Sequence, residues 1–275
     1  MRNYDLLLLD IDGTLVGPDH MTISPRNRQA LQAAKEAGVL LAIATGRCLR
    51  ILPEQALDAG FDYAITSNGA AIDDLRTGRR LYYNALSAQK AAVAYKILEP
   101  AVDFVEWFAD GEILLSRRAY ALIGTHELPP WHTRYLSQGG TPVVESEEAY
   151  IAAGAPGLEK IAVIRYPRET ISLIHRQLDQ TGLFSLTSSI GRSLEIMTND
   201  CTKGNGALIL CRLLGLDPHR TAACGDGDND ISLLQAVGCG CAMGNAGEDV
   251  KAAAACVCAP NDQDGVAEFI WNKVL

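Results

Sequence analysis

Two carboxylates follow an apolar run close to the start of the chain. Asp10 and Asp12 come directly after four leucines, in the segment LLLLDIDGTL. An unbroken apolar run predicts a parallel strand that is buried on both faces, and ligands of such sheets bind beyond the carboxyl ends of the strands. Two carboxylates about 4 Å apart repel by roughly 4 kcal/mol at an effective dielectric constant of ~20, which a cation would offset. Acids also follow strands for purely structural reasons, so this pair alone does not establish a site.

A second acidic cluster, GDGDND, follows a predicted strand at residues 220–224. Its side chains with oxygen donors are Asp226, Asp228, Asn229 and Asp230. Two such clusters at one sheet edge indicate a divalent cation, and Mg²⁺ fits because it takes few carboxylates and keeps waters for a phosphate. A calcium loop is the alternative, but its sixth position needs Gly and holds Ile231, and its twelfth needs Glu and holds Val237. We interpret Asp228 as an exposed residue without a role.

Two further segments are typical of phosphate binding. Lys203 opens a predicted helix in CTKGNGALI. The helix dipole already favours anions there, so a lysine suits a bound phosphate better than it suits helix stability. Thr45, Gly46 and Arg47 follow a predicted strand and begin a helix, and their hydroxyl and backbone N–H groups could cradle an anion. The alternatives are an exposed surface lysine and a threonine that only caps its helix.

The order of the predicted elements explains how these segments would meet. The first 65 residues alternate apolar runs with helical spacing, which indicates a βαβαβ unit and a doubly wound sheet. A hairpin is predicted around Thr77 and Gly78, mixed helix and strand signals follow it, and alternation returns from residue 200. We therefore predict an α/β, Rossmann-like core of residues 1–80 and 190–275, interrupted by an inserted α+β domain of residues 81–189.

The composition excludes several classes of protein. Of 275 residues, 48% are hydrophobic, and 33 acids against 24 bases give a net charge of −9. This balance argues against a nucleic-acid binder and against a partner on an anionic membrane surface, because both need a basic face. No stretch approaches the ~20 apolar residues of a membrane span, and the N-terminal segment is too acidic for a signal peptide. We expect a cytoplasmic protein, and a monomer is compatible with the sequence, which leaves the oligomeric state open.

Eight cysteines raise the question of a disulfide framework or a metal site. The length of the chain and the lack of a signal peptide favour reduced thiols. Cys239 with Cys241, and Cys256 with Cys258, form two CxC pairs that a zinc site could use. Zinc pairs usually need two or more intervening residues, so we favour the other interpretation, in which each pair lies on one face of a short apolar strand.

The ordered motifs resemble those of one enzyme superfamily. DIDGT, ATGR, a lysine that opens a helix, and GDGDND resemble the motifs of the haloacid dehalogenase superfamily of phosphotransferases. SNGA (67–70), AMGNA (242–246) and NDQDGVAEFI (261–270) resemble its Cof-type subgroup, which carries a large α/β cap of the C2B type. The resemblance covers the core segments. The inserted domain matches a cap only in placement and size.

This resemblance implies roles for the carboxylates. Asp10 would be the nucleophile that forms an aspartyl-phosphate. Asp12 would be the general acid and then the base, and its backbone carbonyl would bind Mg²⁺ together with Asp10. Asp226 would complete the Mg²⁺ site. Asp230 would not bind the ion directly but would hold these ligands in position. An acid at position 12 favours hydrolysis or phosphotransfer over dehalogenation.

The resemblance also implies residues that grip the phosphoryl oxygens, namely Thr45, Gly46, Lys203 and Asn229. Arg47 would contact the substrate. The expected activity is Mg²⁺-dependent hydrolysis of small phosphorylated metabolites, above all sugar phosphates, with no nucleic acid or membrane as partner. Two alternatives are a phosphohexomutase-like phosphotransferase and a non-catalytic sensor of a phosphorylated ligand, although a sensor needs neither a nucleophile nor an acid.

Overall fold

The chain divides into two units, each of which contains its own sheet. This computed structural model describes residues 3–138, 140–188 and 192–275. The first unit comprises Met1–Arg47, Leu52–Tyr83 and Thr202–Leu275, and the second comprises Cys48–Ile51 and Asn84–Cys201. Across the described ranges, every helix is too short or too polar to cross a bilayer.

The strands and helices of the described residues are numbered in chain order. The strands are β1 (Leu6–Leu9), β2 (Leu40–Ala44), β3 (Tyr63–Thr66), β4 (Ala71–Asp74), β5 (Arg79–Tyr83), β6 (Glu106–Ala109), β7 (Glu112–Ser116), β8 (Val143–Val144), β9 (Leu158–Val163), β10 (Phe184–Thr187), β11 (Leu194–Thr198), β12 (Thr221–Gly225), β13 (Cys239–Ala242) and β14 (Cys256–Val257). The helices are α1 (Pro25–Glu36), α2 (Glu54–Asp58), α3 (Ala88–Leu98), α4 (Arg117–Ala121), α5 (Pro130–Ser137), α6 (Glu147–Ala152), α7 (Arg168–Asp179), α8 (Lys203–Leu214), α9 (Ile231–Ala236), α10 (Glu248–Ala253) and α11 (Gly265–Phe269).

Strand β1 lies inside the eight-stranded sheet of the first unit, whose order is β14-β13-β12-β1-β2-β3-β4-β5. The strands from β14 to β3 run parallel, and β4 and β5 add an antiparallel edge. All four leucines of β1 are fully buried, as a parallel strand covered on both faces requires. Leu6 and Leu8 belong to one hydrophobic cluster with side chains of α8, α9 and α10, while α1 packs against α11. The predicted doubly wound core is therefore confirmed, as is the hairpin at Thr77 and Gly78.

The second unit contains a six-stranded sheet in the order β10-β11-β9-β6-β7-β8. Its pairs are antiparallel except for β7 with β8. The structure places this unit at Asn84–Cys201 with Cys48–Ile51, whereas we expected an insertion of residues 81–189. The difference comes from β11, which pairs with β9 and β10 and so belongs to the second sheet, although the sequence analysis assigned its residues to the core.

Candidate active site

The carboxyl ends of β1 and β12 bring the two acidic clusters together. These strands are parallel neighbours with Leu9 opposite Cys224, so Asp10 and the loop of Asp226 leave the sheet side by side. Carboxylate oxygens of Asp10, Asp226 and Asp230 all lie within 4.8 Å of one another. This edge of the sheet therefore carries an oxygen-rich cluster of the donor type that Mg²⁺ prefers.

A buried lysine neutralises part of this cluster. Helix α8 begins after Thr202, whose hydroxyl accepts a hydrogen bond from the Asn205 N–H at 3.1 Å. This cap sets the first helical residue, Lys203, with its Nζ 2.8 Å from Asp10 Oδ1 and 2.7 Å from Asp230 Oδ1. Burial alone lowers the pKa of Lys203, but the carboxylates of Asp10 and Asp230 outweigh burial and raise this pKa above its usual value. Lys203 is therefore charged at neutral pH.

The cluster contains three carboxylates and one ammonium, which contacts two of them, so it carries excess negative charge. Burial and the neighbouring Asp230 carboxylate raise the pKa of Asp10 well above its usual value. The same two causes raise the pKa of Asp226 to about 6. A nearby cation stabilises the ionised form of carboxyl groups in such surroundings. The donor set and its charge thus fit a divalent ion, which Asp10 and Asp226 would hold.

Hydrogen bonds hold Asp226 in place at this edge. Asp230 Oδ2 accepts hydrogen bonds from the backbone N–H groups of Asp226 and Gly227, both at 3.0 Å. Thr14 Oγ1 donates to Asp226 Oδ1 at 2.8 Å. Because its other oxygen binds Lys203, the fully buried Asp230 ties the lysine to the Asp226 loop.

Gly13 allows the chain to turn tightly after the first acidic motif. Its φ is +73°, and a Cβ at this position would lie 2.1 Å from Asp226 Oδ2. Any side chain would therefore strain the backbone and displace a carboxylate. The Gly13 carbonyl accepts a 2.9 Å hydrogen bond from Asn245 Nδ2, which also lies 3.4 Å from Asp226 Oδ2. Asn245 belongs to AMGNA, a segment that the sequence analysis noted without giving this residue a role.

Asp12 lies in contact with two basic side chains. Arg47 donates from Nε to Asp12 Oδ2 at 2.8 Å and from Nη2 to Oδ1 at 2.7 Å. His20 Nδ1 lies 2.8 Å from the same Oδ1. Burial alone raises the pKa of Asp12, but the hydrogen bonds from His20 and Arg47 outweigh burial and lower this pKa. Arg47, which the sequence predicts to contact the substrate, has a side chain that is 5% exposed and that binds Asp12. No local spacing singled out His20.

The residues predicted to grip a phosphoryl group lie on linked turns. Thr45 follows β2 and is almost fully buried, and its carbonyl accepts a hydrogen bond from the Asn68 N–H at 3.0 Å. Asn229 Nδ2 donates to Asn68 Oδ1, also at 3.0 Å. Asn68 therefore connects the Thr45–Gly46 turn to the GDGDND loop. Asn68 belongs to SNGA, a segment that the family resemblance singles out without assigning this residue a role.

Lys203→Met should destabilise the protein, because it leaves three clustered carboxylates without their ammonium. Breaking a buried ion pair costs about 3–5 kcal/mol in free energy of unfolding. We expect a loss of this size in chemical denaturation at pH 7.5, and a smaller loss at pH 5, where Asp226, with a pKa raised to about 6, takes up a proton. Lys251→Met is the matched control, since Lys251 makes only a surface pair with Glu248 at 3.5 Å, a kind worth less than ~1 kcal/mol. Equal losses in the two variants would contradict the role of Lys203.

Comparisons with known proteins extend these observations. A sequence profile of haloacid dehalogenase-like hydrolases matches residues 7–270. The 5-amino-6-(5-phospho-D-ribitylamino)uracil phosphatase YwtE of Bacillus subtilis is 28% identical over 284 residues, which cover 96% of each chain. The solved structure of a haloacid dehalogenase-like hydrolase from B. subtilis has a TM-score of 0.85 and 27% identity, covering 98% of this chain and 99% of that one. The subclass IIB sugar phosphatase BT4131 has a TM-score of 0.78 and 26% identity, covering 97% and 98%.

Proposed function

The chain belongs to the haloacid dehalogenase-like hydrolases, and from this premise we propose that it is a Mg²⁺-dependent phosphatase of small phosphorylated metabolites, above all sugar phosphates. The observation that carries this proposal is the buried Asp10 carboxylate, 2.8 Å from the Lys203 ammonium and within 4.8 Å of an Asp226 oxygen. Relatives that are named phosphatases, one of them a sugar phosphatase, support the reaction type.

Asp10 acts as the nucleophile in this proposal. Lys203 holds Oδ1, so we assign the attack on phosphorus to Oδ2. The Oδ2–P bond forms while the bond between phosphorus and the substrate oxygen breaks, which produces an aspartyl-phosphate and a leaving alkoxide. The ammonium of Lys203 favours the ionised, nucleophilic form of Asp10.

Asp12 serves first as an acid and then as a base. A phosphate dianion that arrives beside Asp12 raises its proton affinity, because like charges disfavour the ionised form. Protonated Asp12 donates its proton to the leaving alkoxide, and the resulting carboxylate takes a proton from the water that attacks the aspartyl-phosphate. This attack breaks the Oδ2–P bond, releases inorganic phosphate and restores Asp10. Arg47 and His20 orient Asp12 through the hydrogen bonds described above.

Two sets of residues in the first unit are assigned to the metal and to the phosphate. Asp10, Asp226 and the backbone carbonyl of Asp12 would hold Mg²⁺, with Asp230 supporting the Asp226 loop. When bound, the ion neutralises negative charge on the carboxylates and on the phosphate. The phosphoryl oxygens would be bound by hydroxyl, N–H, ammonium and amide donors from Thr45, Gly46, Lys203 and Asn229.

Substrate choice is assigned to the second unit, because the first unit already supplies every residue that reacts with phosphorus.

A cytoplasmic location is supported by the cysteines, since all eight are free thiols and thiols persist in reducing compartments.

A screen of phosphate release tests the proposal. Sugar phosphates, nucleotides and cofactor phosphates are incubated with the protein and Mg²⁺, and inorganic phosphate is measured. We expect release from several small substrates, with the highest kcat/KM among sugar phosphates. If none of them yields inorganic phosphate, the protein is not a phosphatase. If ³¹P spectra show a sugar phosphate converted to its isomer without phosphate release, the activity is that of a mutase.

A further inference from the structure

Three cysteines converge on one face of the first unit's sheet. Cys224 in β12 lies directly opposite Cys241 in the parallel strand β13, and Cys258 follows β14 on the other side of β13. Their sulfur atoms all lie within 4.8 Å of one another. Cys224 and Cys241 are fully buried, and Cys258 is 8% exposed. Packing explains why each thiol is buried, but it does not require three sulfurs to meet at one point.

A fourth sulfur completes this cluster. The fully buried Met243 has its Sδ 3.5 Å from Cys258 Sγ. The thiols of Cys241 and Cys258 both lie 3.7 Å from the carbonyl oxygen of Ala242. The grouping thus contains thiols and a thioether from three neighbouring strand ends, with a backbone carbonyl beside them.

The sulfur spacing matches a single small metal ion. Thiolates bind ions such as Zn²⁺ at about 2.3 Å, which places three sulfurs around one ion about 4 Å apart. Three sulfurs within 4.8 Å of one another would need to move by less than about 1 Å to reach this spacing. Thiolate and thioether sulfurs are soft ligands of the kind that Cu(I) binds, and Met243 adds a thioether, which is not among the thiolate, imidazole and carboxylate ligands that hold zinc in its common sites.

Access also suits such an ion. Strand β14 is the edge strand of the sheet, and its Val257 is 52% exposed, so an ion can approach the cluster from the Cys258 side.

We infer that Cys224, Cys241 and Cys258, together with Met243, form a buried Cu(I) site that is separate from the phosphatase chemistry. Two thiols lose their protons, Cu⁺ + 2 R–SH → [Cu(SR)₂]⁻ + 2 H⁺, and the remaining sulfurs are neutral donors, so no electron is transferred. The Met243 N–H donates to the Gly225 carbonyl at 2.9 Å, so the ligands of this site contact the residue before Asp226.

Competition for Cu(I) tests this inference. The full-length reduced protein is titrated anaerobically with Cu(I) against the chelator bathocuproine disulfonate. We expect one Cu(I) per chain and an ultraviolet sulfur-to-copper charge-transfer band. Cys241→Ser and Cys258→Ser should each weaken binding by more than the roughly 10–100-fold that loss of an outer-shell partner costs. Cys211→Ser is the matched control, because Cys211 is a buried thiol of α8 outside the cluster and its loss should leave Cu(I) affinity unchanged.

Three results would overturn the inference. These are the absence of stoichiometric Cu(I) binding, equal losses of affinity in Cys211→Ser and Cys241→Ser, and binding of Zn²⁺ but not Cu(I). Should the serine variants fail to fold, X-ray absorption of the wild-type protein loaded with one Cu(I) decides. A first shell of sulfur atoms supports the site, and a shell of nitrogen or oxygen atoms excludes it.

Discussion

Asp10→Asn is expected to reduce phosphate release by three orders of magnitude or more, on the order of the loss that follows removal of a catalytic nucleophile. The amide of asparagine cannot attack phosphorus or form the aspartyl-phosphate. The substitution keeps the side-chain shape, and it removes a carboxylate whose ionised form is disfavoured by burial and by Asp230. We therefore expect the melting temperature of the variant to equal or exceed that of the wild type, so lost activity would not reflect unfolding.

Asp228→Asn is the matched control for this experiment. Asp228 belongs to the same GDGDND motif, but its side chain is exposed and has no role in the proposed reaction. The control should release phosphate at the wild-type rate. Near-normal turnover of Asp10→Asn would refute the nucleophile assignment. A loss of activity accompanied by a lower melting temperature would instead give Asp10 a structural role.

Removal of divalent ions with EDTA is expected to abolish phosphate release, and excess Mg²⁺ is expected to restore it. The reason is that Asp10, Asp226 and Asp230 hold their oxygens within 4.8 Å of one another with one neighbouring ammonium, so their excess negative charge would repel a phosphate, and a divalent ion would offset this repulsion. The measurement is the initial rate with EDTA, after Mg²⁺ addition, and after addition of NaCl at matched ionic strength. Restoration by NaCl, or full activity in EDTA, would rule out a specific metal requirement.

The same carboxylates predict how stability depends on pH without the ion. Folding raises the pKa of Asp226 from 3.8 to about 6 and raises that of Asp10 well above 3.8. A raised pKa means that the folded state binds protons more tightly, so its stabilisation is complete below about pH 4 and is lost as the pH rises through the raised values. Mg²⁺ should therefore raise the melting temperature more at pH 7.5 than at pH 5, by several degrees when the site is saturated. Equal shifts at the two pH values would contradict this link between the ion and the carboxylates.

Local sequence was sufficient to predict which chemical groups each segment presents and to predict the parallel-sheet core that positions them. LLLLDIDGT encodes a buried strand, two acids and a turn within nine residues, and each of these features depends on residue type and immediate neighbours. Local sequence did not determine the boundary of the second unit. Strand β11 is a segment of only five residues, LEIMT, and its pairing with β9 and β10 decided where it belongs.

The sequence by itself determined that acids, a lysine and the turns proposed to bind phosphate lie at one edge of a parallel sheet, because strand and helix patterns repeat over a few residues. Only the tertiary structure decided which side chains touch. His20 and Arg47 reach Asp12, Asn245 reaches Gly13, and three cysteines from separate strands converge. Such contacts depend on the order and register of strands that are far apart in the chain, and no spacing within a single segment encodes them.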